Sequence, residues 1–224
     1  MTFSIVARCA ETGMFGMAVS SSSPAVAARC AHARAGVGAV ASQNVTDPRL
    51  GVTLLDLMQA GAGAREAVAE VERTTPHMDF RQITAVDRHG GSAVFSGEKS
   101  LGINGDVVRT GLVCAGNLLA DLRVLDAMAE TFETTAGHLG DRLIATMRAA
   151  LAAGGEAGPV HSAGMLLVDK VPWPVASLRC DWTEACPIED IARAWEVYKP
   201  QLDDYVTRAL DPTKAPSYGV PGDE

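Results

Sequence analysis

Short apolar runs with a period of two open the chain and predict a β-hairpin at its start. Strands are predicted over Thr2–Arg8 and 14–20, with a turn at "ETG" between them. A short helix is predicted next, with Ser23 as its N-cap and Pro24 at its first position. A third strand is predicted over 36–43. The first fifty residues are therefore expected to be mostly β-structure.

Apolar residues at helical spacing then alternate with further strand patterns. Helices are predicted within 47–61 and 63–75 and around the apolar positions of 122–132 and 139–151. Strands are predicted over 82–87, 92–96, 111–117, 162–169 and 174–182. The last helix is predicted as one long apolar seam made by Ile191, Trp195, Tyr198, Leu202, Tyr205 and Ala209. Strands joined by short turns favour antiparallel pairing, and paired helices favour layers on the sheet faces. The pattern predicts a layered α/β sandwich.

Chain length and composition predict one domain. The chain has 224 residues, 47% of them hydrophobic but only 5% aromatic, which is typical of a globular core built from small aliphatic side chains. No linker or repeat divides it, so residues 1–210 are predicted to form a single domain. The proline- and glycine-rich stretch 211–224 is predicted to be an extended arm.

Charge and composition exclude several classes of partner and cofactor. The net charge is -8 and the 19 basic residues are scattered, which argues against nucleic acid and against a membrane surface as partners. No signal peptide or transmembrane pattern is seen, so a cytoplasmic protein is expected. Five cysteines and five histidines show no paired spacing, and no nucleotide-binding motif occurs. We expect neither a metal nor a cofactor.

Thr2 is the first candidate for chemistry. Removal of Met1 would expose both its hydroxyl and a free α-amine, whose pKa near ~8 suits it to take the hydroxyl proton. The alternative is that Thr2 only begins an edge strand, which threonine favours. Ser4 lies on the same face of the strand as Thr2 and is a candidate substrate contact.

Three amide side chains end strands close to predicted turns, where they could bind a developing oxyanion or a substrate. Asn117 is the candidate oxyanion donor and therefore the second catalytic candidate, while Gln43 and Asn44 are candidate substrate contacts. The alternative for each is ordinary turn chemistry, in which asparagine bonds its own loop.

Four stretches are too particular for composition to explain: "MTFSIVAR", "ARAGVGAVASQNVTDPRLG", "AGNLLA" and "RALDPTKAPSYGVPG". Together they resemble the bacterial and archaeal domain-of-unknown-function family 1028, which is grouped with the N-terminal nucleophile (Ntn) hydrolase-like folds. The resemblance implies an α/β fold of the α+β type, a four-layer α-β-β-α sandwich of largely antiparallel sheets. It also makes the start of the chain the expected site.

The resemblance bears on two further positions. Proteasome-like enzymes carry an acidic orienting residue where this chain has the serines 20–23, so that acid is missing and Ser21 becomes a candidate substrate contact. Arg34 sits roughly where those enzymes place a basic residue, and it would anchor an anionic substrate group. The alternative for Arg34 is a surface ion pair.

Two hypotheses about function follow. The first is hydrolysis of a small amide, peptide or related C–N bond by Thr2 after Met1 is removed. The second is a catalytically silent Ntn-like protein that binds a small metabolite as a homo-oligomer. Both predict a small-molecule ligand, and Met1 removal is what separates them.

Overall fold

The computed structural model describes residues 1–220, and ten strands form two antiparallel sheets in it. The strands are β1 (Thr2–Arg8), β2 (Phe15–Ser21), β3 (Ala31–Arg34), β4 (Gly38–Asn44), β5 (Arg81–Asp87), β6 (Ser92–Ser96), β7 (Gly105–Arg109), β8 (Leu112–Asn117), β9 (Ser162–Val168) and β10 (Ala176–Cys180). The larger sheet has the order β10-β9-β2-β1-β8-β7, and the smaller has the order β3-β4-β5-β6. The predicted N-terminal hairpin is therefore at the centre of the larger sheet.

Seven α-helices accompany the sheets among the described residues. They are α1 (Ala27–Cys30), α2 (Pro48–Gln59), α3 (Ala64–Thr74), α4 (Arg123–Thr134), α5 (Leu139–Ala152), α6 (Pro187–Tyr198) and α7 (Leu202–Leu210), with short 3-10 turns at Met78–Phe80, Lys199–Gln201 and Pro212–Lys214. Helices α2 and α3 pack on the smaller sheet, whereas α4, α5 and α6 pack on the larger one. The protein is thus a mixed α/β protein with antiparallel sheets, as the sequence predicted.

The core consists of three apolar clusters. One lies between the larger sheet and its helices and includes Phe3 and Trp195. A second lies between the smaller sheet and its helices and includes Leu54. A third joins residues of both sheets, among them Phe15 and Val86, so the two sheets contact each other through apolar side chains. Burial on both faces explains why β2 is buried along its whole length.

Three details differ from the sequence prediction. The last helix is broken into α6 and α7 by a 3-10 turn, because Pro200 cannot continue the helical hydrogen bonding. The short helix begins at Ala27 with Val26 at its N-cap, so Ser23 and Pro24 precede it rather than start it. The strands β3 and β7 were not predicted, and both lie at sheet edges.

Trp195 and Tyr198 use their polar groups inside the protein. The Trp195 Nε1 donates to Asp141 Oδ1 at 2.8 Å, and the Tyr198 hydroxyl donates to the carbonyl of Val175 at 2.9 Å. This part of the predicted seam therefore packs on its own domain. Of the predicted arm 211–224, residues 221–224 lie outside the described part. Across residues 1–220, no helix is both long and apolar enough to cross a membrane.

Candidate active site

The start of β1 lies between the end of β8, which carries Asn117, and the end of β2. In the larger sheet Thr2 is opposite Asn117 of β8, and its neighbour Phe3 is opposite Ser20 of β2. Thr2 is only 5% exposed, whereas Met1 is 37% exposed. The hydroxyl of Thr2 is therefore buried behind a single residue.

The Thr2 hydroxyl faces the peptide carbonyl that precedes it. Thr2 Oγ1 donates a hydrogen bond to the carbonyl oxygen of Met1, and Ser21 Oγ donates to the same oxygen. The two hydroxyl oxygens are 3.4 Å apart. A carbonyl oxygen is thus held between two hydroxyl groups, which is an arrangement that can also hold the carbonyl of a bound amide.

The serine stretch after β2 is held in place by bonds from distant elements. Ser23 Oγ lies 2.8 Å from Ser21 Oγ and accepts from Arg29 Nη2 at 2.8 Å. Ser162 Oγ donates to the carbonyl of Ser23 at 2.6 Å. Ala25 adopts a left-handed conformation with φ of 50° in the same stretch. These contacts fix the Ser21 hydroxyl next to Thr2 and bring the Arg29 guanidinium close to it.

Buried amide side chains run from β1 into the smaller sheet. Ser4 Oγ donates to Gln43 Oε1 at 2.7 Å, and Gln43 Nε2 donates to Gln82 Oε1 at 2.8 Å. All three residues are fully buried. Ser4 and Gln43 therefore satisfy each other and join the two sheets, which is the role their contacts support in this structure.

Asn117 stands at the junction between this amide network and Thr2. Its Nδ2 donates to Gln82 Oε1 at 3.3 Å, while its Oδ1 has no hydrogen-bond partner within the described chain. Asn117 is 1% exposed. A buried acceptor without a donor is costly, so this oxygen is suited to accept from a donor that enters the site.

Asn44 is used to hold loops together. It has a left-handed backbone with φ of 72°. Its Nδ2 donates to the carbonyl of Phe80 at 2.7 Å, and its Oδ1 accepts from the Leu101 N–H at 3.2 Å. The alternative interpretation, turn chemistry, therefore accounts for this side chain.

Arg34 is not brought to the Thr2 cluster. In the smaller sheet Arg34 pairs with Gly38 at one end of β4, whereas Asn44 is at the other end. Arg34 Nη2 lies 2.8 Å from Asp56 Oδ1, and its Nη1 donates to Gln59 Oε1. The structure thus corrects the expectation that Arg34 shares a site with Thr2, because β3 runs away from it.

Sequence reasoning missed three side chains at or near this site. Gln82 joins Gln43 to Asn117, and the only signal for it is a polar residue at the start of an apolar strand. Arg29, rather than Arg34, is the basic residue that bonds the serine stretch. Glu156 follows α5 in a turn, where no pattern marks it, and it is 3% exposed.

Two ionisable groups near the serine stretch have pKa values shifted by their surroundings. Burial raises the pKa of the Cys30 thiol, which lies 3.6 Å from Thr46 Oγ1. Burial also raises the pKa of Glu156 to about 7. In the part of the chain that the structure describes, no group of three His, Cys, Asp or Glu side chains could hold a metal ion. The side chains gathered here thus offer hydroxyls, amides, a thiol, a guanidinium and one carboxyl.

The fold is that of a mixed α/β protein with antiparallel sheets, and comparison with known proteins identifies its family. The architecture is shared with a solved protein: the crystal structure of SPO2555 from Silicibacter pomeroyi superposes with a TM-score of 0.82 at 30% identity, over 92% of this chain and 91% of that one. The model of the family of unknown function DUF1028 matches residues 2–191, and the chain belongs to that family.

Two further comparisons add little. Anbu (ancestral beta-subunit) from Yersinia bercovieri is similar at a TM-score of 0.41 and 11% identity, over 92% of this chain and 97% of that one. A likeness this low carries no argument about function. None of the curated proteins matches the chain.

Proposed function

We propose that this protein is an Ntn-type hydrolase of a small amide, peptide or related C–N bond, with Thr2 as its nucleophile once Met1 is removed. The observation that carries the proposal is the buried Thr2 hydroxyl, which together with Ser21 Oγ bonds the carbonyl of Met1. Loss of Met1 empties this position and frees both hydroxyls for a substrate carbonyl. The fold we propose is the four-layer α-β-β-α sandwich, which the three apolar clusters support.

The reaction that we propose is acyl transfer through an ester. The α-amine of Thr2 takes the hydroxyl proton while Oγ1 bonds to the substrate carbonyl carbon. The C–N bond then breaks, and the leaving amine receives that proton from the α-ammonium. Water cleaves the ester and restores Thr2. Ser21 Oγ and Asn117 Nδ2 are the candidate donors to the oxyanion, because both lie next to Thr2.

The proposal is tested by the mass of the native protein and by an acylating probe. We expect loss of Met1 and addition of a β-lactone probe at residue 2, located by peptide mass spectrometry. Thr2→Ala should abolish the labelling, and Thr53→Ala, at an exposed threonine of α2, should leave it unchanged. Labelling that persists in Thr2→Ala, or a native chain that keeps Met1, would contradict the assignment.

A second candidate function is binding of a small anionic metabolite without catalysis. It is favoured by a surface cavity lined by Arg34, Arg88 and Gln59. Homo-oligomer formation would accompany it, and the exposed Val197 and Leu210 on α6 and α7 offer apolar surface for contact. A dicarboxylate should then raise the melting temperature of the wild-type protein and of Thr2→Ala but not of Arg88→Ala. Light scattering would show whether the protein is an oligomer.

A further inference from the structure

Glu156 is a buried carboxyl group that the proposed reaction does not yet use. It lies in the turn after α5, where Gly154 and Gly155 both have positive φ values of 118° and 60°. The turn is fixed by a bridge between Glu156 and Leu119. Neither carboxylate oxygen has a hydrogen-bond partner among residues 1–220, although the Ser22 hydroxyl and N–H lie near enough to act on the group. Such a carboxyl is exceptional, since buried charged groups are normally paired.

The turn that carries Glu156 runs beside the first three residues. A Cβ added at Gly155 would lie 3.6 Å from the Phe3 ring, and one at Gly158 would lie 3.5 Å from Met1 Cε. Glu156 falls between these two contacts. The positive charge of the chain's α-amino group acts on Glu156, and it opposes the effect of burial on the pKa of the carboxyl. The carboxyl and the chain terminus are therefore neighbours.

A second acceptor without a donor belongs to the same neighbourhood. Asn117 Oδ1 is buried and unpartnered in the described part of the chain, and Asn117 is the strand partner of Thr2. Leu119, two residues further on, makes the bridge to Glu156. Within residues 1–220, three buried oxygen atoms around the start of β1 thus lack donors. A group with several N–H donors and a positive charge would satisfy them, and a primary ammonium has both.

We propose that the Glu156 carboxyl and the Asn117 side-chain carbonyl form an acceptor site for a primary amine, and that the α-amine of Thr2 occupies it after Met1 is removed. The inference rests on the proposed function in requiring that removal. Removal moves the α-amine one residue along β1, about 3.8 Å between Cα atoms, to the residue opposite Asn117. Glu156 is then a positioning residue, which accepts an N–H and turns the amine lone pair toward Oγ1.

Other ionisable groups around this point are already engaged. The Arg29 guanidinium bonds Ser23, the Cys30 thiol lies against Thr46, and the ring of His161 bonds the carbonyl of Thr183 at 2.8 Å. The Glu156 carboxylate differs from them, because within residues 1–220 neither of its oxygens accepts a close hydrogen bond, and only the Ser22 hydroxyl and N–H act on it as donors. It therefore has acceptor positions left for the amine.

The test is the pKa of the Thr2 α-amine, followed by NMR in protein carrying 15N-threonine. The protein is released from a cleavable fusion so that its chain starts at Thr2. We expect Glu156→Gln to lower the α-amine pKa by about one unit or more, because a nearby negative charge favours the ammonium form. Glu130→Gln, at an exposed position of α4, should leave it unchanged. Equal α-amine pKa values in wild type and Glu156→Gln would overturn the inference.

Two additional variants separate this inference from the proposed reaction. Glu156→Asp keeps the charge on a shorter side chain, so its α-amine pKa should lie between those of wild type and Glu156→Gln. This variant also provides a measurement if Glu156→Gln fails to fold. Thr2→Ala, labelled with 15N-alanine instead, keeps an α-amine but lacks the nucleophile, so its amine pKa should still fall when Glu156→Gln is added. If the probe does not label the wild type but Glu156→Gln still lowers the α-amine pKa, the hydrolase proposal is wrong and the amine site stands. If the probe labels Thr2 normally but Glu156→Gln leaves the α-amine pKa unchanged, only the amine site is wrong.

Discussion

Two buried carboxylates at opposite ends of the molecule have opposite environments. Asp87, at the end of β5, is 6% exposed, and its Oδ1 accepts from the N–H groups of His89 at 2.8 Å and Gly91 at 2.9 Å. Its Oδ2 accepts from the N–H of Ala64, at the start of α3, at 2.8 Å. Glu156 is 3% exposed, and within residues 1–220 its oxygens accept no close hydrogen bond, with only the Ser22 hydroxyl and N–H acting on it as donors. Burial by itself therefore does not distinguish a structural carboxylate from a functional candidate, whereas hydrogen bonding does.

The difference separates a structural end of the molecule from a candidate functional end. Asp87 joins a turn and a helix to the smaller sheet, and Arg34 at the same end is paired with Asp56. At the Thr2 end, two hydroxyls converge on one carbonyl, while Asn117 Oδ1 and both carboxylate oxygens of Glu156 accept no close hydrogen bond within the described chain. Unsatisfied buried polar groups reduce stability, so acceptors of this kind beside the Thr2 hydroxyl point to a use other than stability.

The largest expected effect comes from removing the satisfied carboxylate. Asp87→Ala leaves three backbone N–H groups without their acceptor, so we expect a loss of about 3–5 kcal/mol in the free energy of unfolding. Urea unfolding followed by circular dichroism measures it. Asp56→Ala, at an exposed carboxylate near the same end, should cost less than about 1 kcal/mol. A small loss for Asp87→Ala would mean that its bonds do not hold this end together.

Glu156→Gln should increase the free energy of unfolding, in contrast to Asp87→Ala, and the increase should depend on pH. The pKa of Glu156 is raised from 4.5 to about 7, so as the pH rises the unfolded chain releases this proton before the folded protein does. The wild type should therefore lose stability between about pH 4.5 and 7, by about 3 kcal/mol at about 1.36 kcal/mol per unit. The glutamine variant should not show this loss.

Unfolding free energies at pH 5, 6, 7 and 8 measure the difference between the two proteins. Glu130→Gln is the matched control, because it removes the same charge from an exposed helix position. A gap between wild type and Glu156→Gln that stays constant across this range would show that Glu156 does not titrate there.

Ser4→Ala should have an intermediate effect and should sharpen the boundary of the site. The variant removes the donor to Gln43 Oε1, which is fully buried, so we expect a loss of about 1–2 kcal/mol in the free energy of unfolding. Probe labelling at Thr2 should continue, because the Ser4 hydroxyl is directed to Gln43. Loss of labelling in a folded Ser4→Ala protein would show that Ser4 itself belongs to the site.

The sequence predicted most of the fold but only part of the candidate site. The bounds of β1 are as predicted because β-branched and aromatic residues dominate it and a turn follows it, and a period of two places Thr2 and Ser4 on one face. The edge strands β3 and β7 were missed because they are short and only partly buried, so they lack an apolar pattern. The break at Pro200 follows from proline chemistry and was predictable.

Local sequence patterns predict only some of the residues that surround Thr2. Asn117 was a candidate because it ends a predicted strand and Ser21 because of the family resemblance, and both lie next to Thr2 in the structure. Glu156 comes from a turn about 150 positions away along the chain, and only the tertiary fold brings it close. The amine site that we propose thus takes its carboxyl group from a distant turn, which no local spacing could indicate.

Arg34→Ala is expected to have the smallest effect, and it tests whether the two ends act separately. The Arg34–Asp56 pair is on the surface, with side chains 34% and 62% exposed, so its loss should cost less than about 1 kcal/mol in the free energy of unfolding. Because Arg34 lies at the far end of β4 from Asn44, labelling at Thr2 should proceed at the wild-type rate. The rate of probe addition, measured by intact mass against time, decides this. A much slower rate of probe addition in Arg34→Ala would show that Arg34 and Thr2 belong to one site, with the arginine as a substrate anchor.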